Sequence, residues 1–199
     1  MLEGPTRCDG AATPVSADDE PLILVDEQDR PQGHLDKRRC HDGAGRLHRA
    51  FSVFLFNAGG ELLLQQRAAG KRLWPLYWSN TCCSHPRRGE STPQAAGRRL
   101  AQELGLAAEL RFAFKFRYQA RFRDLGAEHE LCWVFLGRCD AAPTPHPEEV
   151  AAWRWIPPAT LDRGLTAQAA GYTPWLRLEW QRLRAGHAGL LGEFTKAED

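Results

Sequence analysis

One long alternating segment, Leu110–Phe122, constrains the fold of this chain more than any other part of its sequence. Successive side chains of a β-strand point to opposite faces of a sheet. Here the positions that would share one face are mostly aromatic: Leu110, Phe112, Phe114, Phe116, Tyr118, Ala120 and Phe122. The pattern therefore predicts a strand whose aromatic face packs in a hydrophobic core. Tyr118 belongs to that face, and its hydroxyl needs a hydrogen-bond partner if it is buried.

A second strand is predicted from about Glu128 to Leu136, after a turn at residues 123–127. The alternation places Glu128 and Glu130 on the same face of this strand, about 6–7 Å apart along it. Two carboxylates that point the same way repel each other unless a cation lies between them. This pair is therefore a candidate for binding a metal ion.

A helix is predicted between the early strands and this strand pair. Thr92 is the expected N-cap, Pro93 the first helical position and Gly105 the stop after Leu104. Apolar residues recur at a spacing of four, which predicts a buried stripe formed by Ala96, Leu100 and Leu104.

The remaining elements complete a mixed order of strands and helices. Strands are predicted at residues 22–25, 51–56, 62–66 and 150–156, a short helix after 157–158 and a last helix from 173 to about 184. Such an order favours an α/β or α+β sandwich in a single domain. We expect this domain at residues 20–186, between a disordered N-terminal tail at 1–19 and a C-terminal tail at 187–199.

Composition narrows the class of protein further. The 199 residues carry a net charge of +1, which gives no electrostatic reason for nucleic acid to be the main partner. No stretch approaches the roughly 18 apolar residues of a membrane-spanning helix. Two of the six cysteines, Cys82 and Cys83, are adjacent, which is awkward for a disulfide framework. We expect a soluble, cytoplasmic protein with free thiols and no membrane partner, and a monomer by default.

Histidines and carboxylates suggest a metal site. The candidate ligands are His41, His48, His85, Glu128 and Glu130. Neutral imidazoles together with carboxylates suit a divalent ion such as Mn²⁺, Zn²⁺ or Mg²⁺. The thiol of Cys83 lies two residues before His85, which indicates chemistry beside the metal instead of a purely structural site.

Basic residues gather in several short clusters that bracket this thiol. They are 37–39, 67 with 71–72, 87–88 and 98–99. Each cluster alone can be solvated surface charge. Several clusters around one thiol favour a pocket for a small polyanion.

Residues 84–106 resemble a Nudix box, the loop–helix–loop motif of one enzyme superfamily. The matching positions are Glu90, Arg98, Leu100, Glu103, Gly105 and Leu106, whereas Ser84, Arg99 and Gln102 depart from it. In the family, the glutamates missing here would hold metals that activate water on a diphosphate. The resemblance implies a Nudix-like mixed β-sheet sandwich flanked by helices, with an impaired hydrolytic metal set.

Further segments resemble one branch of that superfamily, the type 1 isopentenyl-diphosphate isomerases. They are 74–75, 78–86, 116–118 and 128–132, together with His41 and residues 47–52 upstream. The likeness runs from about residue 22 to 180, and several motifs in the same order are more specific than the Nudix box alone.

The resemblance implies a role for each matching residue. It gives Cys83, Glu130 and Tyr118 as catalytic residues, and His41, His48, His85, Glu128 and Glu130 as metal ligands. It associates Glu103 with a second, substrate-bound Mg²⁺. It places Lys37, Arg67, Lys71 and Arg99 at the substrate diphosphate and Trp175 in the wall of the pocket.

The implied reaction moves a carbon–carbon double bond within a five-carbon diphosphate. One proton is added to an alkene and another is removed from a neighbouring carbon, so the site needs an acid, a base and no water. We expect Glu130, as a carboxylic acid, to deliver the proton and Cys83, as a thiolate, to remove the other. The roles reverse in the back reaction.

Other classes of protein remain possible at this stage. A Nudix hydrolase acting on a nucleoside diphosphate derivative would need the consecutive glutamates that Arg99 and Gln102 interrupt. A zinc-binding interaction module could use Cys82, Cys83, His85, Cys132 and Cys139, although paired Cys-x-x-Cys knuckles are missing. A flavin-dependent isomerase would require a glycine-rich flavin signature, which the sequence lacks.

Overall fold

A computed structural model describes residues 15–196, so most of the predicted N-terminal tail lies outside the described residues. Within that range the chain forms nine strands and five helices. The strands are β1 (Pro21–Val25), β2 (Pro31–Asp36), β3 (His48–Phe56), β4 (Leu62–Arg67), β5 (Trp78–Ser79), β6 (Cys82–Ser84), β7 (Leu110–Phe122), β8 (Gly126–Arg138) and β9 (Val150–Ile156). The helices are α1 (Lys37–Cys40), α2 (Thr92–Leu104), α3 (Pro158–Ala167), α4 (Pro174–Gly186) and α5 (Ala188–Thr195).

Strand β3 occupies the centre of a mixed sheet. It pairs in parallel with β8 from His48↔Glu130 to Phe56↔Arg138, and in antiparallel with the short β6. β7 lies on the far side of β8 as its antiparallel neighbour. β4 connects this sheet to β9 and β5. A parallel strand that is covered on both faces is apolar along most of its length, as residues 50–56 are.

Helices cover both faces of the sheet, which confirms the predicted sandwich. Helix α2 packs on one face, with Ala96, Leu100 and Leu104 buried as the sequence predicted. Helices α3, α4 and α5 pack on the other face around Trp180 and Phe194. None of the helices in the described part of the chain is long and apolar enough to cross a membrane.

Helix α2 begins one residue earlier than the sequence suggested, because the N-cap is Ser91 and not Thr92. The Ser91 hydroxyl accepts a hydrogen bond from the Gln94 backbone at 3.4 Å, and the Gln94 side chain accepts one from the Ser91 backbone at 3.2 Å. This reciprocal pair satisfies two otherwise free backbone donors. At the other end Gly105 has a φ of 66°, as a helix stop requires.

Strand β7 has the predicted bounds, but its alternation is interrupted near the start. A bulge between Phe112 and Phe114 shifts the register, so Phe112 leaves the core face. Its side chain is 48% exposed and packs on Trp133, with ring centroids 5.1 Å apart. The expectation of one continuous aromatic face therefore holds only for the part of the strand that follows the bulge.

The structure corrects the prediction of a C-terminal tail from residue 187. Residues Ala188–Thr195 form α5, and Leu191 and Phe194 are buried in the core that α4 also covers. The Phe194 ring lies 6.0 Å from that of Phe56 on β3. Leu191 and Phe194 are three residues apart, which is the spacing of one helix face. Residues 197–199 lie outside the described part.

Replacing Leu191 by alanine should lower the free energy of unfolding by about 2–5 kcal/mol, because a fully buried leucine leaves a cavity. Denaturant titration measures the change. The matched control is Leu125→Ala, since Leu125 is 49% exposed and its loss should cost under about 0.5 kcal/mol. Equal effects for the two variants would contradict the packing of α5.

Candidate active site

Strand pairing brings the five candidate metal ligands together. His48 begins β3 directly opposite Glu130 on β8, and Glu128 lies two residues earlier on the same face of β8. His85 follows β6, the other neighbour of β3, and His41 ends the short helix α1. One nitrogen or oxygen from each of the five residues lies within 4.8 Å of all the others.

The histidine rings are oriented by backbone carbonyls. His41 Nδ1 lies 2.6 Å from the Lys37 carbonyl oxygen, and His48 Nδ1 lies 2.7 Å from that of Arg46. Each ring therefore donates through Nδ1 and turns Nε2 toward the carboxylates. The resulting distances are 2.8 Å from His41 Nε2 to Glu128 Oε2 and 3.8 Å from His48 Nε2 to Glu130 Oε1.

The chemistry of this cluster fits a divalent cation. Two of its buried nitrogens have no hydrogen-bond partner among the described residues: His48 Nε2 and His85 Nδ1. Burial lowers the pKa of His48 to about 3 and that of His85 well below its usual value. Both rings are therefore neutral at physiological pH, which is the form that binds metals.

The two glutamates differ in protonation. Burial alone would raise the pKa of Glu128, but the charge and hydrogen bond of His41 outweigh it and lower the pKa to about 2. Burial and the neighbouring Glu128 charge raise the pKa of Glu130 well above its usual value. A carboxylate that stays ionised next to one that holds a proton is a common arrangement in acid–base sites.

Cys83 lies on β6 directly opposite Ser52 of β3, and its side chain lines the same cavity as Glu130. Burial raises the pKa of the Cys83 thiol to about 12, against a lowering by the Arg67 charge. Burial therefore favours the neutral thiol at pH 7, so the thiolate expected from the sequence requires a proton to leave Cys83. The reason is that burial disfavours the charged form of the sulfur.

Tyr118 lies opposite Glu130 across the β7–β8 pair. Its buried hydroxyl donates a hydrogen bond of 2.7 Å to Glu130 Oε2. The partner that the sequence required for this hydroxyl is thus Glu130.

A cavity of about 680 Å³ connects Cys83, Glu130 and Tyr118 with the basic residues. All four predicted diphosphate contacts line it: Lys37, Arg67, Lys71 and Arg99. Trp175, at the start of α4, forms another part of the wall and donates through Nε1 to Ser79 Oγ at 2.9 Å. The Arg67 guanidinium lies 5.2 Å from the centroid of the Trp175 ring.

Carboxylates accompany the cations in this wall. Glu103, the predicted ligand of a second Mg²⁺, accepts a hydrogen bond of 3.0 Å from Arg99 Nε and is almost fully buried. Glu149, which the sequence analysis missed, pairs with Lys71 and lies 3.4 Å from Arg99. Glu149 directly precedes β9 after a proline-containing turn, so neither spacing nor alternation identified it.

Glu90 and Arg98, two matching positions of the Nudix-box pattern, have a separate role. Arg98 donates two hydrogen bonds to the Glu90 carboxylate, at 2.7 and 2.8 Å. This bidentate pair ties the loop before α2 to the helix. Cys82 belongs to the core beneath α2, and no cysteine joins the metal-ligand group among residues 15–196. A thiolate-rich zinc site therefore finds no support in the described part of the chain.

Comparisons with known proteins agree with this geometry. The NUDIX domain model matches residues 46–176. A Nocardia farcinica protein named isopentenyl-diphosphate Delta-isomerase is 50% identical over 157 residues, which cover 78% of this chain and 90% of the relative. A Burkholderia multivorans protein of the same name is 46% identical and covers 82% and 93% of the two chains.

A crystal structure of DR0079 from Deinococcus radiodurans superimposes with a TM-score of 0.67 at 26% identity, covering 82% of this chain and 98% of that chain. The fold and the matched domain define the chain as a Nudix protein. Within that class it belongs to the isopentenyl-diphosphate Delta-isomerase family, as its relatives at 41–50% identity show.

Replacing Gly126 by alanine should weaken divalent-metal binding by about tenfold or more, since the added methyl group displaces the backbone of His41, a candidate ligand. Gly126 has a φ of 153°, and an added Cβ would lie 2.2 Å from the His41 carbonyl oxygen. Titration calorimetry with Mn²⁺ measures the affinity. The control Gly97→Ala adds a Cβ with nothing within 4 Å. Unchanged affinity in the Gly126 variant would contradict this dependence.

Proposed function

We propose that this protein interconverts isopentenyl diphosphate and dimethylallyl diphosphate by protonation and deprotonation. The observation that carries the proposal is one cavity whose lining contains Cys83, Glu130 and Tyr118 together with a basic wall. Its volume of about 680 Å³ suits a small ligand of this size.

The basic wall binds the diphosphate in this proposal. Lys37, Arg67, Lys71 and Arg99 line it, and guanidinium groups match phosphate oxygens well. The diphosphate takes no part in the bond changes. Its binding energy orients the alkene toward the reacting groups.

Metal ions have two proposed positions. His41, His48, His85, Glu128 and Glu130 would hold Mn²⁺, Zn²⁺ or Mg²⁺, and Glu103 would hold an Mg²⁺ shared with the substrate diphosphate. A bound cation would stabilise the carboxylate form of Glu130 and offset the negative charge of the substrate.

Glu130 and Cys83 are the proposed acid and base. With Glu130 as the carboxylic acid, its proton is added to the terminal alkene carbon, and the electron pair of the double bond forms the new C–H bond. Cys83, deprotonated, then removes a proton from the carbon on the other side of the cationic centre. The electron pair of that C–H bond forms the new double bond. The reverse reaction uses the opposite protonation states.

The protonation state of Cys83 sets a condition on this scheme. A thiol with a pKa of about 12 must lose its proton before it can act as the base. The Arg67 charge is the group near Cys83 that lowers this pKa. Substrate that enters with Glu130 ionised and Cys83 protonated would react in the opposite direction.

The carbocation between the two proton transfers needs a dry and electron-rich surface. The face of Trp175 contributes about 0.5–2 kcal/mol to cation stabilisation if the cation lies against it. Enzymes typically lower barriers by about 8 kcal/mol or more, so positioning and exclusion of water supply much of the remainder.

We also propose a cytoplasmic monomer. The cysteines of the described chain are free thiols, which is typical of a reducing compartment. Its large exposed apolar side chains, Leu76, Phe112 and Leu125, lie in separate places along the sequence, which is normal for a surface without a partner.

Purified protein with Mg²⁺ in D₂O should convert isopentenyl diphosphate to dimethylallyl diphosphate that carries deuterium on carbon. Cys83→Ala should abolish this conversion, because the variant lacks one of the two proton-transfer groups. NMR of the substrate measures both outcomes. Cys82→Ala is the matched control, since its thiol packs under α2 and should leave the conversion intact.

Unchanged substrate with folded, metal-loaded protein would contradict the proposed isomerase. Cleavage of the diphosphate bond in a nucleoside diphosphate derivative, giving two phosphate monoesters, would instead indicate hydrolysis. Arg99 and Gln102 argue against that outcome, because they stand where the Nudix-box pattern has glutamates that hold metal.

Tyr118→Phe should lower kcat about 10- to 100-fold with little change in KM. The variant keeps the ring, which stacks on Phe116, but loses a hydrogen bond to a carboxyl group worth about 1.5–3 kcal/mol. Steady-state kinetics measure kcat and KM separately. Tyr77→Phe removes a hydroxyl elsewhere and is the control; equal losses in both variants would exclude a specific role for Tyr118.

A further inference from the structure

Helix α4 carries a buried carboxyl group that the mechanism above does not use. Glu179 lies one helical turn after Trp175 and is fully buried. Its Oε1 lies 3.5 Å from the Cys132 sulfur, and its Oε2 has no hydrogen-bond partner among the described residues. The Cys132 sulfur also lies 3.5 Å from Ser52 Oγ.

Both neighbours of Glu179 stand next to the proposed proton-transfer groups. Ser52 is the residue of β3 directly opposite Cys83. Cys132 follows Glu130 by two residues on β8, so the two side chains share a face of the sheet. Ser52, Cys132 and Glu179 therefore form a polar layer beneath Cys83 and Glu130, which we call the floor triad.

The surroundings of Glu179 favour a neutral carboxylic acid. No salt bridge to Glu179 occurs within residues 15–196, and an unpaired carboxylate is costly to bury. Facing it are Cys132 on β8 and Ser52 on β3, with Cys83, Glu130 and Tyr118 beyond them and Arg182 on its own helix. Burial raises the pKa of Glu179 to about 8, although hydrogen bonds and Arg182 oppose the shift.

We propose that Glu179 is a positioning residue for the isomerisation, and that as a neutral acid it holds the floor triad in the arrangement that supports Cys83 and Glu130. This inference rests on the proposed function. Each member of the floor triad then has one proton to donate, which allows a closed set of hydrogen bonds. Ionised Glu179 can only accept, so it would draw the Ser52 and Cys132 protons to itself and alter the floor.

The first test compares Glu179→Gln with Glu179→Leu in the full-length protein. Glutamine keeps the shape and a neutral donor, so kcat at pH 7 should stay within about threefold of the wild type. Leucine leaves Ser52 and Cys132 without their partner, so kcat should fall about tenfold or more. KM should change little in either variant, because the basic wall is untouched.

The second test measures kcat against pH from 6 to about 9.5 for the wild type and Glu179→Gln. The wild type should lose activity as pH rises through about 8, where Glu179 ionises, and this loss should be absent in the glutamine variant. Glu109→Gln, a change at an exposed carboxyl group, is the control and should keep the wild-type profile.

A third readout is independent of catalysis. The folded protein holds the Glu179 proton more tightly than the unfolded chain does. In the unfolded chain the pKa of this carboxyl group is about 4.5. Stability contributed by that proton is therefore complete below pH 4.5 and is lost as pH rises to about 8. The melting temperature of the wild type relative to Glu179→Gln should fall across this window.

Two results would overturn the proposal. Wild-type kcat in Glu179→Leu, with only a lower melting temperature, would leave Glu179 with a purely structural role. Identical pH dependence of kcat and of melting in the wild type and Glu179→Gln would show that ionisation of Glu179 does not control the floor triad. A wild type that does not isomerise would overturn the proposed function itself, while the melting experiment would still test the protonation of Glu179.

Discussion

The parallel register between β3 and β8 is the constraint on which the rest of the site depends. It sets His48 opposite Glu130, and the neighbours β6 and β7 then place Cys83 and Tyr118 around the same point. A slip of one residue in either strand would turn its side chains to the opposite face. The apolar residues that follow on both strands make such a slip costly, because side chains packed under α2 would exchange places with those packed under α4 and α5. Core packing therefore determines the geometry of the polar site.

The site places more polar atoms in a dry environment than the described chain can satisfy. His48 Nε2 and His85 Nδ1 lack partners, and the two rings lie next to each other, with centroids 4.9 Å apart. Each buried unpaired group costs about 1–3 kcal/mol. The remaining protein must supply this free energy, and the large apolar layers on both sides of β3 are its source. Concentrated cost of this kind is typical of a functional site.

Local sequence patterns predicted the features of this fold that depend on a single element. Strand β9 has the expected bounds, and Gly105 ends α2 as expected. The exposure of Phe112 near the start of β7 could not be predicted, because the bulge that causes it depends on how β7 pairs with β8. Helix α5 was missed because its apolar stripe is short and lies at the chain end.

The same difference between local and tertiary features applies to the candidate site. Residues on strands or in recognisable motifs could be proposed from the sequence, as Glu128 and Glu130 were from their alternation. Glu149 and Glu179 could not, because the importance of each depends on what tertiary packing places opposite it. A glutamate on an amphipathic helix is usually solvated, and only the docking of α4 over Ser52 and Cys132 buries Glu179.

The Arg99 position shows how one substitution can redirect a shared scaffold. A glutamate at this point of the Nudix pattern would add negative charge beside Glu103, a combination that attracts metal ions. Arginine pairs with Glu103 and with Glu149. Burial alone would lower the pKa of Arg99, but the negative charges of the two carboxylates outweigh it and raise the pKa, so Arg99 stays fully charged. The wall of the cavity thus gains a fixed cation where metal-assisted attack of water would need an anion. A fixed cation favours holding a diphosphate intact over activating water to cleave it, which is consistent with the acid and base roles proposed for Glu130 and Cys83 in the same cavity.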